Sequence, residues 1–219
     1  MVSPSSIKIL LLQDGARRWA SENGVSVAEG YRAMSRKLAF FADELLKRGI
    51  NRYYVPTNSI ENLRRQPKDI AAFFESYLLL PGYSENHIRI ELAGNFGLIP
   101  EALQDRYRRL EATTAINKDF TIHLLLNWSI TDEVVRIYNK LSQSHAIIDE
   151  HLLLSHADIP EPIDLIIRTG KRRRLSSFFP LTGAYAEICF LDVLFPDITA
   201  HHVDHALEFY AHQERTYGL

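Results

Sequence analysis

An aspartate followed closely by two arginines opens the most chemically loaded stretch of the chain, Asp14-Gly15-Ala16-Arg17-Arg18-Trp19. More guanidinium groups gather at Arg64-Arg65, just after Asn58, Ser59 and Asn62. A third group comprises Arg168, Arg172, Arg173 and Arg174, with Lys171, Ser176 and Ser177 alongside. The planar guanidinium fork binds phosphate oxygens in pairs, so this density suits a polyanionic substrate. A carboxylate set among the arginines suggests magnesium, which is typically held by one or two carboxylates plus substrate phosphates. Asp14 is the first candidate and Glu187 the second. Taken singly, each feature also has a plainer reading. Asp14 could cap a helix, Glu187 could be a strand-edge residue, and the 171–174 run could be a solvated loop or a nucleic-acid patch.

These residues act together only if the fold gathers them. The apolar run at 7–12, continuous but for Lys8, reads as a strand, and further strand candidates lie at 52–57, 87–93, 119–128, 163–169 and 186–190. Such runs suit strands buried on both faces. Between them lie amphipathic stretches. In 27–48, Met34, Leu38, Phe41, Leu45 and Leu46 recur at helical spacing before Gly49, and a glycine there is a stop signal. Further helices are expected at 67–80, 100–115, 131–142 and 200–215. Strands alternating with helices predict an α/β fold, a mostly parallel central sheet flanked by helices on both faces. Ligands in such sheets bind beyond the carboxyl ends of the strands. The loaded stretches all follow predicted strands, so up to eight arginines and one lysine could approach one rim.

The 219 residues predict a single domain spanning 1–219. With 46% hydrophobic and 24% charged residues the composition is that of a globular protein. Lys plus Arg is 25 against 27 Asp plus Glu, a net charge of −2, so no global nucleic-acid footprint is expected. The single cysteine, Cys189, excludes an intramolecular disulfide and suggests a reducing, cytoplasmic setting. The apolar stretch at 9–12 is too short for a signal-peptide core or a membrane span. His201 and His205 have the spacing of a metal pair, but no nearby glutamate completes the zinc-protease pattern, so a solvated helix face is the preferred reading. The aromatic segment Phe73, Phe74 and Tyr77 reads as core that could line an apolar cavity beside the sheet.

Asp14-Gly15-Ala16-Arg17-Arg18-Trp19-Ala20 resembles the first signature of the cis-prenyltransferases, the undecaprenyl diphosphate synthase family. Ile167-Arg168-Thr169-Gly170, Arg174-Leu175-Ser176-Ser177-Phe178, Tyr185-Ala186-Glu187 and Leu194-Phe195-Pro196-Asp197 resemble its last signature. Gly30-Tyr31-Arg32-Ala33 and 59–65 fall at the family's spacing. The resemblance runs from Leu11 to Gly218. It implies a parallel sheet flanked by helices with an apolar pocket, a magnesium-dependent transferase of prenyl groups, and a homodimer. By the same resemblance, Asp14 would hold magnesium and assist ionisation of an allylic diphosphate. Arg18 and Arg65 would grip that diphosphate, with Gly15, Arg17, Trp19, Tyr31, Asn58, Ser59 and Asn62 around it. Arg168, Arg174, Ser176 and Ser177 would bind the second diphosphate, and Glu187 would help hold magnesium from the partner subunit.

The chain departs from the family pattern in four places. The usual Asn-Gly is Ala16-Arg17, the usual histidine after Gly30 is Tyr31, the acidic residue near Arg172 is basic, and an expected arginine is Thr216. The segments 17–19, 176–181 and 193–197 look like the short-chain branch that includes the lavandulyl and cyclolavandulyl diphosphate synthases. That likeness implies head-to-middle condensation of two dimethylallyl diphosphates into a branched or cyclic C10 diphosphate, with Ser176 or the released diphosphate taking the final proton. The rival readings are regular short-chain cis-elongation with isopentenyl diphosphate, a non-catalytic partner subunit, and a nucleic-acid binder using 171–174.

Overall fold

The computed structural model describes residues 7–84, 86–143 and 147–214. Thr216, one of the four departures, lies outside the described residues. Six strands form one sheet: β1 (Ile9–Leu12), β2 (Arg52–Pro56), β3 (Ile88–Gly94), β4 (Phe120–Leu126), β5 (Leu165–Arg168) and β6 (Glu187–Phe190). Their order is β3-β4-β2-β1-β5-β6 and every pairing is parallel. The α/β expectation is therefore met. Every strand but β3, which is shifted by one residue, is shorter than its predicted run because the flanking residues leave the ladder to enter loops.

The core is divided by the pleat. Ile9, Leu11, Tyr53, Val55, Ile90, Ile122 and Ile167 point to one face, whereas Leu10, Leu12, Tyr54, Leu125 and Ile166 point to the other. Successive side chains on a strand alternate faces, so a run that is apolar throughout is buried twice. The larger core holds α2 (Val27–Lys47), α3 (Pro67–Tyr77), α4 (Glu101–Thr114) and α7 (Ala200–Ala211). Trp128, Ile159 and Ile163 cover the second face.

Helix boundaries follow their caps. Ser26 and Glu29 form a reciprocal capping box at the start of α2, and Pro67 occupies the first turn of α3, where a missing N–H costs nothing. Two helices have no counterpart in the sequence reading. They are α1 (Ala16–Glu22) and α6 (Glu150–Ser155), which are seven and six residues long. Neither is long enough to display an apolar period. Helix α1 instead owes its place to packing: a side chain at Gly30 would sit 2.5 Å from the Ala16 carbonyl, so α1 and α2 touch backbone to backbone there. Helix α5 (Ile130–Ser142) completes the set. No helix among the described residues is long and apolar enough to cross a membrane.

Candidate active site

Because all strands run the same way, their carboxyl ends share one edge. Leu12 is level with Arg168, and Arg168 with Phe190, so Asp14 and the Thr169-Gly170 turn leave adjacent strands side by side. Residues 155 apart in sequence are then joined by a reciprocal pair of hydrogen bonds. The Asp14 amide donates to Thr169 Oγ1 at 3.0 Å, and that hydroxyl donates to the Asp14 carbonyl at 2.9 Å. The 193–197 segment closes over the same corner. The Phe195 amide donates to the Asp14 carbonyl and the Gly170 amide to the Val193 carbonyl. Trp19 Nε1 donates to Asp197 Oδ1 at 2.7 Å.

This backbone frame fixes a carboxylate between two guanidinium groups. Asp14 Oδ1 lies 3.1 Å from Arg18 Nη2, and Asp14 Oδ2 lies 3.1 Å from Arg168 Nη2. Arg168 is buried, and its Nη1 donates to the Arg174 carbonyl. Gly170 makes the close approach possible. Its φ is +91°, and a Cβ there would lie 2.7 Å from both Asp14 Cβ and Arg18 Nη2.

A cavity of about 910 Å³ opens beside this pair. Its polar wall carries Arg17, Arg18, Arg65 and Arg168 against the two carboxylates of Asp14 and Glu61. Four cations in one concave wall suit a diphosphate, since fixed positive groups need no rearrangement to meet its charge. Gly15, Ser59, Asn62, Ser176 and Ser177 share the wall. Asn62 Oδ1 accepts from Arg65 and its amide donates to Ser59 Oγ, so Arg65 is held in place by its own 3-10 turn.

Val27, Tyr31, Met34 and Phe73 add apolar surface to the same cavity. The ring of Phe73 stands edge-to-face with Tyr31 and Tyr77 at 5.1 Å each and with Phe74 at 5.6 Å. Phe73 therefore faces the cavity, as the sequence allowed, while Phe74 and Tyr77 back it up from the core. Burial pushes the Tyr31 phenol up from its ordinary range, with Arg65 and Arg17 opposing. The ring is neutral at physiological pH.

Some expected site residues are not brought to this wall. Trp19 is spent on its bond to Asp197, and Asn58 is buried against Asn127, its Nδ2 donating to Asn127 Oδ1 at 2.7 Å. Arg64, Lys171, Arg172, Arg173 and Arg174 have exposed side chains outside the cavity. Of the eight arginines that could have met at one rim, four do so. Gly170 and Lys171 both take positive φ, and this left-handed turn carries the basic run out to solvent, where Arg173 pairs with Asp192 at 3.2 Å. Glu187 begins β6 level with Leu165, at the far end of the strand from Asp14. Among the described residues no group of three or more His, Cys, Asp or Glu side chains could hold a metal ion, and His201 with His205 makes none.

Other participants went unread in the sequence. Thr169 locks the two strand ends together, and Gln13 donates to the Pro56 carbonyl and to Tyr77 Oη. Phe178 lines the cavity beside the two serines. The position of Gln13 and Thr169 directly after strands was the available signal.

Residues 12–218 match the family model described as putative undecaprenyl diphosphate synthase. The ditrans,polycis-undecaprenyl-diphosphate synthase ((2E,6E)-farnesyl-diphosphate specific) of Escherichia coli K12 is 30% identical over 224 positions, covering 96% of this chain and 88% of that one. An isoprenyl transferase of Treponema denticola is 32% identical over 219 positions, covering 96% of both. Among solved structures, lavandulyl diphosphate synthase from Lavandula x intermedia in complex with dimethylallyl diphosphate superposes with a TM-score of 0.88. That match covers both chains completely at 24% identity. A probable undecaprenyl diphosphate synthase from Campylobacter jejuni gives a TM-score of 0.77 at 22% identity, covering 97% of this chain and 98% of that one.

Proposed function

The chain belongs to the undecaprenyl diphosphate synthase family and is a prenyltransferase; we propose that it joins two dimethylallyl diphosphates head-to-middle into a C10 diphosphate. The observation that carries a short product is an aromatic cluster on the cavity wall: Phe73, packed among Tyr31, Phe74 and Tyr77, borders the cavity, and we read it as the floor that limits chain length. A growing chain would meet these rings after few isoprene units. The choice of dimethylallyl diphosphate as both substrates is supported by the likeness of 176–181 and 193–197 to the short-chain branch. The lavender synthase, which shares the fold, holds dimethylallyl diphosphate in its own structure.

In this reading the C1–oxygen bond of the first substrate breaks and its electron pair leaves with diphosphate. Arg17, Arg18 and Arg65 take up that charge, an electrostatic role that preorganised donors perform without reorganising. The apolar wall of Val27, Met34 and Phe73 keeps water from the allylic cation. The second substrate, gripped by Arg168 with Ser176 and Ser177, presents its internal alkene carbon, which forms the new bond to C1. The tertiary cation left behind loses a methyl proton to the released diphosphate or to the Ser176 hydroxyl.

Asp14 fits a magnesium ion of the kind bound mostly through phosphate oxygens. It is a single carboxylate, its side chain is 38% exposed, and its neighbours are the guanidinium groups of Arg18 and Arg168, which in this reading meet the diphosphates. Magnesium, when bound, offsets the negative charge on the leaving diphosphate. Glu187 lies too far along its own strand to join Asp14 within one chain, so its part in the ion requires the second subunit of a homodimer.

The test is purified protein with magnesium and dimethylallyl diphosphate alone, the dephosphorylated products being read by mass spectrometry. A branched or cyclic C10 alcohol is expected, and Asp14→Ala should reduce it about a hundredfold or more. Linear alcohols formed only after adding isopentenyl diphosphate would overturn the head-to-middle reading. They would favour cis-elongation, the activity in the name of the Escherichia coli relative. No product under either condition would point to a non-catalytic subunit.

A further inference from the structure

The basic run 171–174 is the one loaded stretch of the sequence that the proposed chemistry does not use. It is the middle of a short loop whose two ends line the cavity, Arg168 on one side and Ser176, Ser177 and Phe178 on the other. Between them the side chains of Lys171, Arg172, Arg173 and Arg174 are exposed. The loop lies close against the phosphate-binding wall. A Cβ at Gly170 would stand 2.7 Å from Arg18 Nη2 and from Asp14 Cβ, and the Arg174 carbonyl accepts from Arg168 Nη1. Arg172 is two residues from each of these anchors, so its backbone is within about 7 Å of both.

The loop is held in shape. The Gly170 amide donates to the Val193 carbonyl at 2.7 Å, the Phe178 amide to the Leu175 carbonyl at 3.1 Å, and the Ile130 amide of α5 to the Ser177 carbonyl at 3.0 Å. Lys171 and Ser176 take left-handed φ of +57° and +56°, and such backbone in a residue with a Cβ persists only where its surroundings over-determine it. The cations therefore stand on a fixed arch at the mouth of the cavity.

Their charge is largely uncompensated. Among the described residues the one ion pair made by this run is Arg173 with Asp192, at 3.2 Å. The chain as a whole carries a net charge of −2, so positive potential is concentrated at this opening. Clefts lined by one sign of charge focus the field and raise the local concentration of the opposite ion.

We propose that Lys171, Arg172 and Arg173 form an outer capture site for diphosphates, which draws the substrate anion to the mouth and passes it to Arg18, Arg65 and Arg168 inside. Exposed charges act over about 8 Å at physiological ionic strength, a reach that spans the distance from the arch to the wall. Charges on a rim speed arrival more than they hold what has bound. The proposal rests on the cavity being where diphosphates bind, and it is the same for head-to-middle coupling and for elongation.

The test follows a fluorescently tagged, uncleavable thiolodiphosphate analogue of dimethylallyl diphosphate binding to the full-length protein by stopped flow. Two variants push in opposite directions. Lys171→Asn with Arg172→Gln removes two cations, and asparagine tolerates the left-handed backbone at 171. Asp192→Asn removes the carboxylate that offsets Arg173. At low salt the first should slow association about tenfold and the second should speed it about twofold, with dissociation unchanged in both. Near 1 M salt, where screening shortens the reach to about 3 Å, all three proteins should associate at one rate. Association equal to wild type at low salt in the double variant would overturn the proposal. So would a loss carried by faster dissociation, which would make these residues part of the bound site. A wild-type protein that does not bind the analogue would overturn the diphosphate reading of the cavity, and the proposal with it. No turnover is needed, so a failure to couple dimethylallyl diphosphate would strike the proposed function and leave this test standing.

Discussion

Replacing Phe73 by alanine tests the floor of the cavity as both packing and a ruler. Phe73 is 6% exposed and makes three edge-to-face contacts, with centroids at 5.1, 5.6 and 5.1 Å. Truncating a buried phenylalanine costs ~3–5 kcal/mol, and aromatic pairs contribute beyond simple burial. One side of this ring already borders the cavity, so part of the void it leaves merges with existing space. The lower end, about 3 kcal/mol, is therefore expected. Domains of this kind are stable by ~5–15 kcal/mol, so the variant should fold, with Tm lowered by roughly 6–12 °C at 2–4 °C per kcal/mol. The lost ring has about the bulk of one isoprene unit. Supplied with dimethylallyl diphosphate and the C10 allylic geranyl diphosphate, the variant should therefore make a C15 diphosphate, one unit longer than the wild-type product. Thermal melting and mass spectrometry of the dephosphorylated products are the two assays. A variant that loses the expected stability yet keeps the wild-type product length would refute the floor as the length limit, because the space would exist and go unused.

Two further outcomes follow from particular contacts. Gly170→Ala forces a side chain into φ +91° and places its Cβ 2.7 Å from Asp14 Cβ. It should cost ~1–2 kcal/mol in chemical denaturation and about a hundredfold in turnover through displacement of Asp14; unimpaired turnover would show that Asp14 is not held where the chemistry needs it. The second concerns Glu133, whose carboxyl is pushed by burial from 4.5 up to about 7. The unfolded chain loses this proton first, so stability should fall as pH rises between those values and level off above 7. The full span is ~3 kcal/mol at ~1.4 kcal/mol per pH unit. Urea titrations of wild type and Glu133→Gln across that range should converge near pH 4.5 and separate in the variant's favour at pH 8. A variant less stable than the wild type at pH 8 would reverse the sign of the argument.

Much of the fold was written locally. A strand buried on both faces reads as a near-continuous apolar run, as 7–12 does but for Lys8, and α2 announces itself by apolar spacing and by the glycine stop at Gly49. Helices α1 and α6 were not legible because their few residues cannot express a period and are set by what they pack on. The chemistry was half legible. Asp14, Arg17, Arg18, Arg65 and Arg168 are of the right types in the right places after strands, and the cavity gathers all five. Yet the densest basic stretch, 171–174, turns outward at two left-handed residues, and no count of arginines could reveal that. Residue types and their order along the chain thus determined which elements form and which side chains could bind phosphate. Only the tertiary structure decided which of them meet. Convergence depends on β1 lying between β2 and β5 in one parallel sheet, and on whether backbone turns at single residues such as Gly170 send the next side chains toward the cavity or into water.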